Sequence, residues 1–86
     1  MKLHELKILP EYYRAQIEGK KNFEIRKNDR NYQVGDWIAL KEYDPETKDF
    51  TGQSFVAEIT YITNYQQKDG YVVLGTRHIE EWLNEN

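Results

Sequence analysis

The stretch from Gln53 to Tyr65 constrains this chain more than any other. Phe55, Ala57, Ile59 and Tyr61 alternate there with Val56, Glu58, Thr60 and Ile62. A period of two sends successive side chains to opposite faces of an extended strand. This is the longest such pattern in the chain, and shorter ones surround it. Leu6 and Ile8 alternate with Glu5 and Lys7, and Phe23 and Ile25 with Glu24 and Arg26; Trp37 to Tyr43 is rich in β-formers, and Tyr71 to Gly75 is an apolar run. Turn chemistry separates them: Asn28-Asp29-Arg30-Asn31, Val34-Gly35-Asp36, a polar hairpin loop from Asp44-Pro45 to Gly52, and Asp69-Gly70. On this reading Phe23 and Ile25 face the core and Glu24 and Arg26 the opposite side.

One early segment breaks the β-pattern. Pro10 suits a first helical position, where its missing N–H costs nothing, and Leu9, Tyr13 and Ile17 recur at a spacing of four. Gly19 can adopt the left-handed conformation that closes a helix. A second, short helix docked through Ile79, Trp82 and Leu83 is expected in the tail, residues 76–86. The fold expected is therefore α+β: a single domain over residues 1–86, with a sheet of about five to six strands, one N-terminal helix and a short C-terminal helix. Closing that sheet into a small barrel would remove exposed edges.

Several function classes are excluded at once. The chain of 86 residues has no cysteine, which removes disulfide frameworks, thiolate zinc sites and cysteine nucleophiles. Its two histidines, His4 and His78, are 74 positions apart, so no metal-ligand spacing is present and neither a metal nor a cofactor is expected. No apolar run reaches the roughly 18–20 residues that a membrane span needs. Charges at Lys2, Glu5 and Lys7 come too early for a signal peptide's apolar region, so the expected location is the cytoplasm. Packing alone must hold the fold, and aromatic residues at 14% supply much of the area it can bury.

The net charge of −3 is unevenly spread. Between Arg14 and Arg30 stand Arg14, Lys20, Lys21, Arg26, Lys27 and Arg30 against Glu18, Glu24 and Asp29, a local balance of +3 on a body of −6. A basic patch on an acidic body concentrates attraction for phosphate in one place. A solvated charged loop would have the same composition.

Within that patch, Gly19-Lys20-Lys21-Asn22-Phe23-Glu24-Ile25-Arg26 reads G-K-K-x-x-E-x-R and joins the helix to a strand. The strand sends Glu24 and Arg26 to one face, about 7 Å apart. Such a pair can share a ligand, or the carboxylate can orient the guanidinium for planar recognition of a base or phosphate. Equally, it can be an ion pair on a solvated face, worth little to stability.

This stretch resembles the ASCH domains, small members of the PUA-like superfamily. A bacterial and phage branch of ASCH-like proteins of unassigned function is similar over about residues 4–75. The likeness runs through His4-x-Leu6-Lys7, Phe23 to Arg30, Val34-Gly35-Asp36, Tyr43-Asp44-Pro45, Ile59 to Ile62 and Gly70 to Gly75. The resemblance implies a small PUA-like β-barrel with a cleft beside the helix-to-strand motif, a cleft associated in the wider family with RNA. Some relatives are nucleases, or amidohydrolases acting on an acetylated cytidine. The amidohydrolases resemble this chain at Lys21 and Arg26 but carry a threonine, the presumed nucleophile, where this chain has Glu24. A carboxylate cannot take over that hydroxyl's role.

The first expectation is thus an RNA- or nucleotide-binding module. Lys20, Lys21, Arg26 and Arg30 hold a phosphate or unpaired base, and Glu24 orients them or reads a base edge. Tyr65 is the best stacking candidate among the tyrosines. The alternatives are a small hydrolase of RNA or a modified nucleoside, with Lys21 and Glu24 as catalytic candidates, or a protein-interaction module whose basic cleft meets an acidic partner. His4 and His78 read as structural histidines, although His4 could line the cleft. Trp37 reads as core and Trp82 as a tail anchor.

Overall fold

A computed structural model describes residues 1–79. The elements follow as β1 (Leu3–Ile8), α1 (Pro10–Ile17), β2 (Phe23–Lys27), β3 (Trp37–Asp44), β4 (Asp49–Thr63) and β5 (Tyr71–His78). All five strands form one sheet in the order β1-β3-β4-β5-β2, parallel between β1 and β3 and antiparallel elsewhere.

The long strand β4 makes the sheet curl. Its first part, Asp49 to Glu58, pairs with β3, and its last part, Ala57 to Thr63, with β5, so the ladder passes from one neighbour to the other along its length. Register shifts between Lys41 and Tyr43 and between Ile59 and Tyr61 add local bends, as β-bulges do. At the second bulge Gly75 lies against β4 so closely that a Cβ there would stand 3.2 Å from the Thr60 hydroxyl. The core fills the concave side: Leu6, Ile8, Tyr32, Ile38, Leu40, Phe55, Ala57, Ile59, Val72 and Leu74, with Tyr13 of α1 packed against the Phe55 ring at 5.5 Å.

Three expectations are corrected here. Among the described residues the protein is mostly sheet, 53% strand with one short helix of 10%, and the sheet is a curled half-barrel. The expected α+β closed barrel is not what forms over residues 1–79. Closure fails at β1 and β2, the two ends of the sheet order, which do not pair. The chain crosses from one edge to the other through α1, and a cleft lined by residues of both edges separates them. The expected tail helix, with Trp82 and Leu83, lies outside the described residues; Ile79 is buried and donates its N–H to the Val56 carbonyl at 3.0 Å.

The second correction concerns faces. Phe23 and Ile25 are 39% and 53% exposed, while Glu24 is 3% exposed. The alternation in β2 is as expected, but its sense is inverted. A bulge likewise turns Tyr61 out to solvent, though it continues the pattern of Phe55, Ala57 and Ile59.

The third is local. The β3–β4 loop is shorter than expected, because β4 begins at Asp49 rather than after Gly52. On α1 the inward residues are Tyr13 and the buried Gln16, whereas Leu9 and Ile17 are exposed.

Candidate ligand-binding cleft

The open seam between the two sheet edges is a cleft of about 460 Å³. Lys7, Ile8, Leu9 and Tyr12 form one bank, and Lys21 with Phe23 to Arg26 forms the other. The chain enters the second bank through the helix end. Gly19 takes φ +75, and the Ala15 carbonyl accepts N–H bonds from Lys20 at 2.9 Å and Lys21 at 3.0 Å. That turn aims Lys21 back across the start of β2.

Glu24 is the centre of the site. Its Oε1 accepts from Arg26 Nη2 at 2.9 Å and Nε at 3.2 Å, and its Oε2 accepts from Gln16 Nε2 at 2.9 Å and from the Lys21 ammonium. Every partner is a donor, which suits the acceptor-only ionised carboxylate. A buried charge survives only when paired and hydrogen-bonded, and Glu24 meets both conditions. The side chains of Lys21 and Arg26 keep 17% and 21% of their surface exposed, so both reach from the buried carboxylate to the open cleft.

Donor accounting shows what remains for a ligand. A guanidinium carries five N–H bonds. Two of Arg26's are spent on Glu24, which fixes its plane and leaves the others available. Lys21 also donates to the Phe23 carbonyl at 2.8 Å, and its ammonium lies 5.0 Å from the Phe23 ring centre and 5.4 Å from that of Tyr12. Cations over ring faces are favoured electrostatically. The cleft therefore combines an excess of fixed positive charge with apolar walls from Ile8, Leu9, Tyr12, Phe23 and Ile25.

Of the residues expected at the site, Lys21, Glu24 and Arg26 converge and three do not. Lys20 is turned outward and pairs with Glu18 at 3.1 Å. Arg30 stands beside Asp29 at 4.0 Å, half-exposed and outside the cleft lining. Tyr65 is 74% exposed at the β4–β5 turn, also away from the cleft. Tyr12 and Gln16 belong to the site and were missed. Gln16 carries only a weak sequence signal: it is an uncharged polar residue one position before Ile17, beside the apolar stripe of Leu9, Tyr13 and Ile17.

A second polar cluster lies behind β1. Asp36 Oδ2 accepts from His4 Nε2 at 2.9 Å and from the Gln33 N–H at 3.1 Å, and Oδ1 accepts from the Lys2 N–H at 3.1 Å. The His4 hydrogen bond, opposed by burial and helped by the two backbone donors, holds the Asp36 carboxyl below its ordinary range. Tyr32 packs edge-on against His4, 4.9 Å between ring centres, and burial raises its phenol. His4 and Asp36 are both buried and tie the N-terminal strand to the turn before β3. His4 is therefore a structural residue and no part of the cleft. Among the described residues no group of three or more His, Asp or Glu side chains is placed to hold a metal ion, and no helix is long and apolar enough to cross a membrane.

The chain belongs to the family described as a domain of unknown function, DUF3850, whose profile matches residues 3–76. It is also 40% identical over 74 residues to an uncharacterized 12.9 kDa protein in the GpA 3′ region of Escherichia phage P2. That match covers 85% of this chain and 66% of the phage protein, just under two thirds of its length.

Proposed function

We propose that this protein is a binding module for RNA or a nucleotide, and that the ligand enters the seam between β1 and β2. One observation carries the reading: Lys21 and Arg26 converge on the buried Glu24 at the base of a cleft with apolar walls. A nucleotide has the matching chemistry, an anionic phosphate joined to a flat ring with apolar faces. Glu24 holds the two cations in position, and the walls exclude water from the ring. The segment that resembles ASCH domains is also the segment that forms this bank, which supports the same reading.

Hydrolysis is less well supported. A general base needs an oxygen free to take a proton, and both oxygens of Glu24 are occupied by donors. The role that fits Glu24 is orientation.

Titration of the protein with 5′-mononucleotides and a short single-stranded RNA, each at two salt concentrations, tests the proposal. Binding that weakens with salt and is lost in Arg26→Ala supports it. Binding of neither ligand, or binding indifferent to Arg26→Ala, rejects it.

A further inference from the structure

The main chain on the free edge of β2 is only partly spoken for, and its carbonyls are the groups that are taken. The Thr76 N–H donates to the Asn22 carbonyl at 3.0 Å, and the Asn28 N–H to the Gly70 carbonyl at 2.8 Å. With the antiparallel register of β2 and β5, these bonds direct the N–H and C=O of Glu24 and Arg26 toward β5, and those of Phe23, Ile25 and Lys27 toward the cleft. The Phe23 carbonyl is capped by Gln16 at 3.0 Å and Lys21 at 2.8 Å, and the Lys27 carbonyl accepts from the Asp29 N–H at 2.9 Å. Among the described residues, only Ile25 in β2 turns both an N–H and a carbonyl to the seam with no protein partner for either.

We infer that the main chain of Ile25 reads the hydrogen-bonding edge of a nucleobase. The inference rests on the nucleotide reading of the cleft and deepens it by assigning the base. An exposed sheet edge can also accept an extended peptide, but an added strand needs a run of free groups along the edge. Here the edge carbonyls of Phe23 and Lys27 are already occupied, so an added strand would find a single acceptor, and only Ile25 sets a donor and an acceptor side by side. A nucleobase presents that complement, an adjacent donor and acceptor in the plane of a ring. The apolar side chains of Phe23 and Ile25 border the same spot, and Arg26, next in sequence, places its guanidinium within reach of the attached phosphate.

Two kinds of change test this, one in the ligand and one in the protein. Uridine 5′-monophosphate is compared with its 3-methyl derivative, and adenosine 5′-monophosphate with its N6,N6-dimethyl derivative; each methylated form lacks the donor on the base edge. Ribose 5-phosphate serves as the baseline. In the protein, Ile25→Pro deletes the edge N–H, which no strand uses, from an edge position where proline is tolerated. Ile25→Ala keeps the main chain and controls for the lost side chain. Circular dichroism establishes that each variant folds, and the ligand comparison stands if Ile25→Pro does not.

The expected result is that at least one parent nucleotide binds tenfold or more tightly than ribose 5-phosphate. Methylation of its base edge removes that advantage, and Ile25→Pro reduces it to the same degree, beyond the loss in Ile25→Ala, which shortens the apolar wall but keeps the edge N–H. Equal binding of nucleotides and ribose 5-phosphate, both lost in Arg26→Ala, overturns the base assignment and leaves the phosphate site standing. Unaltered binding of the methylated nucleotides also overturns it. If no nucleotide and no ribose phosphate binds, the nucleotide reading and the base assignment fall together.

Discussion

Arg26 grips a single oxygen of Glu24 with two nitrogens, Nη2 at 2.9 Å and Nε at 3.2 Å, although the two residues are only two apart on the same strand. The strand's period makes them face neighbours, and the inverted sense of β2 carries the pair inward rather than out to solvent. Lys21 and Gln16 approach the other oxygen from the helix side. The result is one carboxylate holding β2 against the end of α1.

Removing that carboxylate should therefore cost more than a surface ion pair would. We expect Glu24→Ala to destabilise the fold by about 3 kcal/mol, the lower end for breaking a buried pair, because Lys21 and Arg26 retain some solvent contact. Glu24→Gln keeps the volume and an acceptor oxygen and should cost less. Urea unfolding monitored by tryptophan fluorescence gives both numbers. A cost below about 0.5 kcal/mol for the alanine variant would mean that the cluster is no more than a surface pair.

The divided fate of the basic patch predicts a divided salt response. Each phosphate neutralised by the protein contributes roughly −0.7 to the slope of log affinity against log salt for a single strand. We expect Lys21→Ala and Arg26→Ala each to make the slope shallower by about that amount, and Lys20→Ala and Arg30→Ala to leave it unchanged. Four variants titrated with one short RNA over a range of salt suffice. If all four reduce the slope equally, the ligand tracks the exposed loop and not the cleft.

The strands and α1 were largely legible in the sequence, because alternation and turn residues are local signals. The direction in which an alternating strand faces is not local. Glu24 lies inside because Gln16, eight positions earlier, Lys21 and Arg26 together satisfy its carboxylate, and no window on β2 alone contains all of them. Closure was equally hidden. Whether β1 meets β2 depends on how far β4 carries the sheet round, a property of its divided pairing with β3 and β5. Lys21, Glu24 and Arg26 could be named in advance from their spacing. Lys20 could not be separated from Lys21 until the turn at Gly19 showed which of them points inward.

Gln16 offers a cleaner test of that buried network, since it carries no charge. It is 2% exposed and donates both to the Phe23 carbonyl at 3.0 Å and to Glu24 Oε2. Leucine of similar volume in its place withdraws one donor from each acceptor, and an under-satisfied buried acceptor costs about 1–3 kcal/mol. We expect Gln16→Leu to lower stability within that range and Gln16→Glu, which sets a second carboxylate against Glu24, to lower it further. Thermal unfolding of the two variants checks the order. A leucine variant as stable as the parent would mean that the amide adds nothing beyond its volume.

Acid stability should depend on Asp36. The hydrogen bond from His4, with backbone bonds from Lys2 and Gln33, depresses its carboxyl below the ordinary value of 3.8 in the folded state. A group depressed on folding contributes stability that is fully present above its unfolded value and is lost as pH falls through the folded value. Asp36 therefore adds nothing to the pH dependence near neutrality and steepens the loss of stability below about pH 4. We expect Asp36→Asn to be less stable than the parent at pH 7, and the gap to close progressively as the pH is lowered below about 4. Unfolding free energies measured from pH 7 down to pH 2.5 decide it. A constant gap across that range would mean that the carboxylate's charge is immaterial and that only the shape of the His4–Asp36 contact matters.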